Sequence, residues 1–131
     1  NDGEKDEQNS RYNITTVLTR TRRIVKEKEF TAVLGRGRFV PTPFFLLKYI
    51  NNDRAYDRYG FVVSKKVSKK ATERNKAKRR LRAIVQKNPY AAAEGRDIVF
   101  VVKRGMVSAQ FNEIKNTALT ALKKTLPPPL Q

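Results

Sequence analysis

The chain has 131 residues, enough for one domain around one modest core, and its 29 Lys+Arg against 12 Asp+Glu give a formal net charge of +17. That surplus opposes compaction and calls for a polyanionic partner, nucleic acid ahead of an anionic membrane surface. With no Cys and no His, disulfides, Cys/His zinc centres and thiol or imidazole catalysis are excluded.

The longest apolar runs, such as Ile98 to Val102, are far too short to span a bilayer. Residues 1–10 are polar and acidic (Asp2, Glu4, Asp6, Glu7), with no apolar signal-peptide core, so a cytoplasmic protein is expected. The expected layout is a flexible arm over residues 1–19, a single domain over 20–125 and a Pro-rich tail over 126–131. Arg20, Arg22 and Arg23 turn the chain basic, and an amphipathic helix is predicted from Lys26 to Leu34. Phe30, Val33 and Leu34 stand at i, i+3 and i+4, on one helical face. Gly35-Arg36-Gly37 stops that helix and lacks the spacing and the following Lys of a phosphate-binding loop. Phe39 to Ile50 reads as extended but is interrupted by Pro41 and Pro43, which suits an edge or a bend. A firm strand is predicted over Phe44–Ile50, then turn residues Asn51 to Arg54, then a strand over Tyr59–Ser64 as its hairpin partner.

Val67 to Lys70 forms a basic connector. Thr72 is the predicted N-cap of a helix from Glu73 to Lys87, whose apolar stripe is Ala77, Leu81, Ile84 and Val85, spaced i, i+4, i+7 and i+8. Asn75, Lys78, Arg79 and Arg82 share another face, and Lys76 and Arg80 lie elsewhere around the cylinder. Asn88-Pro89 ends it. Asp97 to Val102 is a nearly continuous apolar run, the pattern of an interior strand. Ser108 is predicted to cap a last helix, Ala109 to Lys124, with Phe111, Ile114, Ala118, Ala121 and Leu122 on its apolar side.

Between Gly60 and Arg82 ten cations (Lys65, Lys66, Lys69, Lys70, Arg74, Lys76, Lys78, Arg79, Arg80 and Arg82) face one acid, Glu73. An ordinary solvated helix mixes signs. This one carries a one-signed surface around a core-facing stripe, so it is expected to bind phosphates in a fixed register. Arg adds a planar fork that fits two phosphate oxygens or stacks on a base, and an Asn among the cations offers a hydrogen bond to a base edge or a 2′-hydroxyl. Phe30, Phe44, Phe45, Tyr49 and Phe61 are candidate stacking residues, about half of which must fill the core. A membrane-surface helix would need free apolar anchors, and Leu81, Ile84 and Val85 are already assigned to the core. For catalysis, the acids beyond the first ten residues are Glu27, Glu29, Asp53, Asp57, Glu73, Glu94, Asp97 and Glu113. No spacing among them suggests a metal pair, and each reads as a surface acid or a local charge partner. No catalytic residue and no metal ligand is assigned. Binding is the expected role.

The chain resembles the protein subunit of bacterial ribonuclease P over about Arg22 to Lys124. The most specific segment looks like that family's Arg-Asn-Arg signature helix, here Arg74-Asn75-Lys76-Ala77-Lys78-Arg79-Arg80-Leu81-Arg82. Arg58 to Lys66 just before it, Glu29-Phe30 and Gly37-Arg38 upstream, and Asp97 to Lys103 downstream agree in order and spacing. The resemblance implies an α+β two-layer sandwich in the order α-β-β-β-α-β-α, with a left-handed βαβ crossover against the usual rule. It implies an accessory, non-catalytic subunit of a ribonucleoprotein endonuclease that removes the 5′ leader from precursor tRNA in the cytoplasm. The catalyst would be a large RNA using Mg2+, and the protein itself would hold no cofactor. The implied partners are ribonuclease P RNA and the single-stranded leader, with no membrane and no stable protein partner. Carried over by motif position, Arg74, Asn75, Lys76, Lys78, Arg79 and Arg82 contact RNA, flanked by Lys65, Lys66, Lys69 and Lys70. Phe30 and Leu34 would line a leader cleft between the first helix and the sheet. Lys48 falls where some members place an aromatic, which favours a phosphate contact over stacking there. Ala77 replaces the family's usual larger aliphatic. The competing expectation is a ribosomal-type protein or general RNA chaperone.

Overall fold

A computed structural model describes residues 22–90 and 94–127; the expected arm over 1–19 and the tail beyond Pro127 lie outside them. The elements are α1 (Glu27–Arg36), β1 (Arg38–Pro41), β2 (Phe45–Asn51), β3 (Arg58–Val62), α2 (Ala71–Gln86), β4 (Arg96–Val102), a 3-10 turn (Arg104–Met106) and α3 (Phe111–Lys124). The α+β class and the order α-β-β-β-α-β-α are as expected.

The strands form one sheet in the order β1-β2-β4-β3. β4 runs antiparallel to β2 and parallel to β3. Its interior place follows from side chains buried on both faces, Ile98, Val99 and Phe100 among them. The predicted hairpin between the strands around Leu47 and Phe61 does not form: β4 lies between them, and β2 pairs instead with β1. A strand that needs cover on both faces takes the centre, and β3 is left at the edge. β3, α2 and β4 make the expected βαβ unit.

Alternation along each strand divides the sheet into two faces. On one, Val40, Leu47, Phe100 and Phe61 stand in register and meet the apolar stripes of α2 and α3. Ala77, Leu81, Ile84 and Val85 are all buried there, as the spacing predicts, with Ile114, Ala118, Ala121 and Leu122 from α3. Phe45 and Phe100 pack edge to face with centroids 5.0 Å apart, and Phe61 stacks on Phe100 at 5.8 Å. Such pairs contribute about 0.5–1.5 kcal/mol beyond area burial. On the other face α1 is the one α-helix among the described residues, burying Val33 against Val99 and Ile24.

Two predicted caps are corrected. α2 begins at Ala71, so Thr72 is inside the helix rather than capping it. Ser68 takes the organising role, accepting the Lys70 N–H at 3.1 Å on its hydroxyl and donating to the Glu73 carboxylate. α3 begins at Phe111, three residues beyond Ser108, with the Glu113 carboxylate accepting the Gln110 N–H at 3.2 Å. Phe111, expected on the apolar side, is exposed.

The parallel β3–β4 register is fixed by two crossed ion pairs. Arg58 stands opposite Asp97 and donates to it from Nη2 at 2.7 Å and Nε at 2.9 Å. The same Nη2 reaches Glu29 of α1 at 3.0 Å. Arg96, the neighbour of Asp97, pairs with Asp57, the neighbour of Arg58, at 2.9 Å, and also donates to the Thr125 hydroxyl at the end of α3. One pair ties α1 to the sheet; the other ties α3.

Candidate RNA interface

The cationic surface begins where β3 ends. The connector folds on itself: Ser64 O accepts the Val67 N–H at 3.0 Å, and the Ser64 hydroxyl accepts the Lys66 N–H at 3.3 Å. Arg104, just past β4, donates from Nε to Lys66 O at 2.8 Å and fixes the turn from outside. Lys65, Lys66, Lys69 and Lys70 are exposed on this held backbone. Their ammonium groups meet no acceptor among the described residues. A cation on an ordered turn meets a phosphate at lower entropic cost than one on a loose tail.

α2 continues the surface. Asn75, Lys76 and Arg79 are exposed, and Lys78 and Arg82 are half-buried along its flank. Arg74 donates from Nη1 to Ser68 O at 2.9 Å, spanning the connector and the first turn. Arg80 donates to Ala109 O at 3.2 Å, which places it against the β4–α3 connection. Ala71 and Thr72, in the first turn of α2, are exposed beside Lys69 and Lys70. A helix N-terminus there adds its positive dipole end to four ammonium charges.

The opposite face of the sheet carries the second surface. Phe39, Lys48, Val99 and Gly60 stand in one row across all four strands, and Pro41, Leu46, Val101 and Val62 stand in the next. Phe30 of α1 lies over Gly60 so closely that a Cβ there would come within 2.5 Å of the ring. Phe30 and Leu34 of α1 and Val62 and Val101 of the sheet are half-buried and pack around the same buried Ile24, Val33 and Val99, so α1 and the sheet share a partly open apolar strip. Lys48 donates from Nζ to Leu34 O at 2.5 Å and so closes the C-terminal turn of α1. One of its three protons is therefore committed.

Of the five aromatics proposed from sequence, Phe45 is fully buried, and Phe44, Tyr49 and Phe61 pack against the main core. Only Phe30 lies on the strip. The sequence reading missed Phe39, which is 63% exposed on β1. Alternation from the buried Val40 was the signal available, since it turns Phe39 to the α1 face.

Asp57 and Asp97, each 6% exposed, are charge partners rather than surface acids. Hydrogen bonding to Asp97 raises the Arg58 guanidinium above its already high range. Burial likewise pushes the Tyr59 phenol above its ordinary range, against a weaker opposing hydrogen bond from Asn88. Among the described residues no group of three or more acids could hold a metal ion. No helix among them is long and apolar enough to cross a membrane.

A family model described as "Ribonuclease P" matches residues 18–126. The chain belongs to the ribonuclease P protein family. It is 32% identical over 99 residues to the ribonuclease P protein component of Pelotomaculum thermopropionicum, covering 76% of this chain and 88% of that one. Against the corresponding protein of Thermotoga maritima it is 33% identical over 101 residues, covering 77% and 85%. Among solved structures, the Thermotoga maritima ribonuclease P protein matches with a TM-score of 0.70 at 28% identity, over 78% of this chain and 96% of that one. A Staphylococcus aureus ribonuclease P protein matches with a TM-score of 0.69 at 28% identity, over 79% and 94%. Family and fold together make this chain the accessory protein subunit of a ribonucleoprotein endoribonuclease, which assists its RNA in processing the 5′ leader of tRNA. Its partner is therefore ribonuclease P RNA.

Proposed function

We propose that the connector and α2 dock on the ribonuclease P RNA while the strip between α1 and the sheet holds the single-stranded 5′ leader of precursor tRNA. The observation that carries this reading is the division of labour between the two sheet faces. α2 covers one face and turns its cations outward; α1 leaves the other partly open and apolar, which suits unstacked bases. β3 is an edge strand, and the Lys-rich connector leaves it directly after Val62, which belongs to the strip. RNA bound at the connector thus lies beside the mouth of the strip. On this reading Lys65, Lys66, Lys69, Lys70, Arg74, Asn75, Lys76, Lys78, Arg79 and Arg82 contact the RNA subunit. Phe30 and Leu34 wall the leader site, and Lys48 offers its remaining protons to a leader phosphate. The protein performs no bond cleavage. Mg2+ is held by the RNA, and the assembly works in the cytoplasm.

Cleavage of precursor tRNA at low Mg2+ by the RNA alone, the protein alone and both together tests this. The expected result is cleavage by the pair well above that of the RNA, and none by the protein. No gain over the RNA alone would refute the reading, and cleavage by the protein alone would overturn its non-catalytic part.

A further inference from the structure

Phe39 is the most exposed large aromatic among the described residues, and its surroundings explain why it stays open. It sits on β1, the sheet edge, directly opposite Lys48. A lysine in that position ordinarily lies over its cross-strand neighbour. Here Lys48 donates to Leu34 O, so its ammonium is held at the C-terminal turn of α1. The row that begins with Phe30 over Gly60 on β3 therefore ends, three strand spacings or roughly 14 Å away, with a second aromatic. The first ring is half-buried beneath a helix; the second is open.

Isolated exposed apolar residues are common and by themselves signify nothing. Three features single this one out. The ring shares its sheet face with the half-buried strip, so it extends an apolar surface rather than standing apart. Arg36 and Arg38 are exposed close by in the chain and supply cations for a phosphate backbone. β1 is only four residues long, with Arg38 at one end and Pro41 at the other, a pattern that blunts an edge against pairing with another strand. A nucleobase needs only the ring face, and the +17 charge selects a polyanion.

We propose that Phe39 is a stacking platform for a nucleobase of the leader, placed at the β1 end of the strip and supplying from the edge strand the stacking surface that Lys48 does not. This rests on the leader-binding reading above. The test uses the assembled ribonucleoprotein with mature tRNA and with precursor tRNAs whose leaders grow one nucleotide at a time. For the parent complex, affinity is expected to rise stepwise with leader length. Phe39→Ala should remove one step, about 5-fold or more, and leave mature tRNA and the shortest leaders unchanged. Phe39→Trp should restore that step. An abasic substitution at the corresponding leader position should weaken the parent complex and leave Phe39→Ala unaffected. If the parent complex shows no leader dependence, the strip itself is refuted as the leader site. If leader dependence is present and Phe39→Ala matches the parent at every length, Phe39 alone is refuted. Equal loss on mature tRNA, or a change only in self-association of the free protein, also overturns the assignment.

Discussion

Arg58 shows how much of this fold depends on single side chains. It serves two carboxylates at once, Asp97 across the parallel ladder and Glu29 on α1, with its own side chain 11% exposed. Two acids around one buried guanidinium offset its desolvation, whereas a buried carboxylate left alone has no such compensation. Arg58→Met should therefore destabilise the domain by about 3–5 kcal/mol, read as a lower urea midpoint with little change in slope. A loss below about 1 kcal/mol would mean that water enters the site and solvates Asp97. Because Glu29 precedes Phe30, the variant should also loosen α1 over Gly60 and lower the affinity for precursor tRNA more than for mature tRNA. Gly60 has the complementary constraint, since its missing Cβ is the space in which the Phe30 ring lies. Composition alone showed acids surrounded by bases. That Asp57 and Asp97 are buried depends on two strands distant in sequence meeting in parallel.

At the scale of elements, α2 separates cations that fold the protein from cations free to bind. Arg80 donates to Ala109 O and joins α2 to the β4–α3 connection; Arg79, its neighbour, is exposed. Arg79→Ala should leave the urea midpoint within about 0.5 kcal/mol of the parent and reduce the salt slope of RNA binding by about one. Arg80→Ala should do the reverse, losing about 1–2 kcal/mol of stability with a nearly unchanged slope. Denaturation and RNA titration of the two variants side by side decide the matter, and identical behaviour would refute the division. The stripe of α2 was legible because helical burial is periodic within one segment, and the interior character of β4 was legible from its unbroken apolar run. The cap at Thr72 was misplaced because Ser68, in the preceding connector, holds the Lys70 N–H and the Glu73 carboxylate and the helix starts earlier. The cap at Ser108 was misplaced because the Glu113 carboxylate takes the Gln110 N–H and the helix starts later. The partner of β2 was not legible, since pairing is decided by which strand most needs two covered faces. For the site, the one-signed charge of α2 was plain in the sequence. The face on which Phe39 stands was legible from alternation with Val40, but its exposure was not, because exposure depends on how tertiary packing covers the sheet.

For the whole molecule, the governing quantity is a net charge of +17 on 131 residues. Much of it is gathered on the connector and α2, where the ammonium groups of Lys65, Lys66, Lys69 and Lys70 and the exposed Lys76 and Arg79 are presented together. The two buried ion pairs neutralise Arg58 and Arg96 internally, so those cations contribute to folding and little to the outer field. What remains outside repels itself in the free protein and is relieved when phosphates replace condensed counterions. Binding to ribonuclease P RNA should then be governed by counterion release. With six to ten phosphates neutralised, affinity should fall by roughly 10³–10⁵ between about 50 and 200 mM monovalent salt, on the duplex-DNA scale. The free protein should respond in the opposite sense, gaining thermal stability over the same range as screening weakens its self-repulsion. The two trends come from one charge distribution and must appear together. A flat binding isotherm series with a rising melting temperature would place the cations in folding rather than recognition. A steep binding slope with an unchanged melting temperature would mean that the free protein already compensates its charge. Only the steep slope with the rising melting temperature fits a surface held in register for RNA.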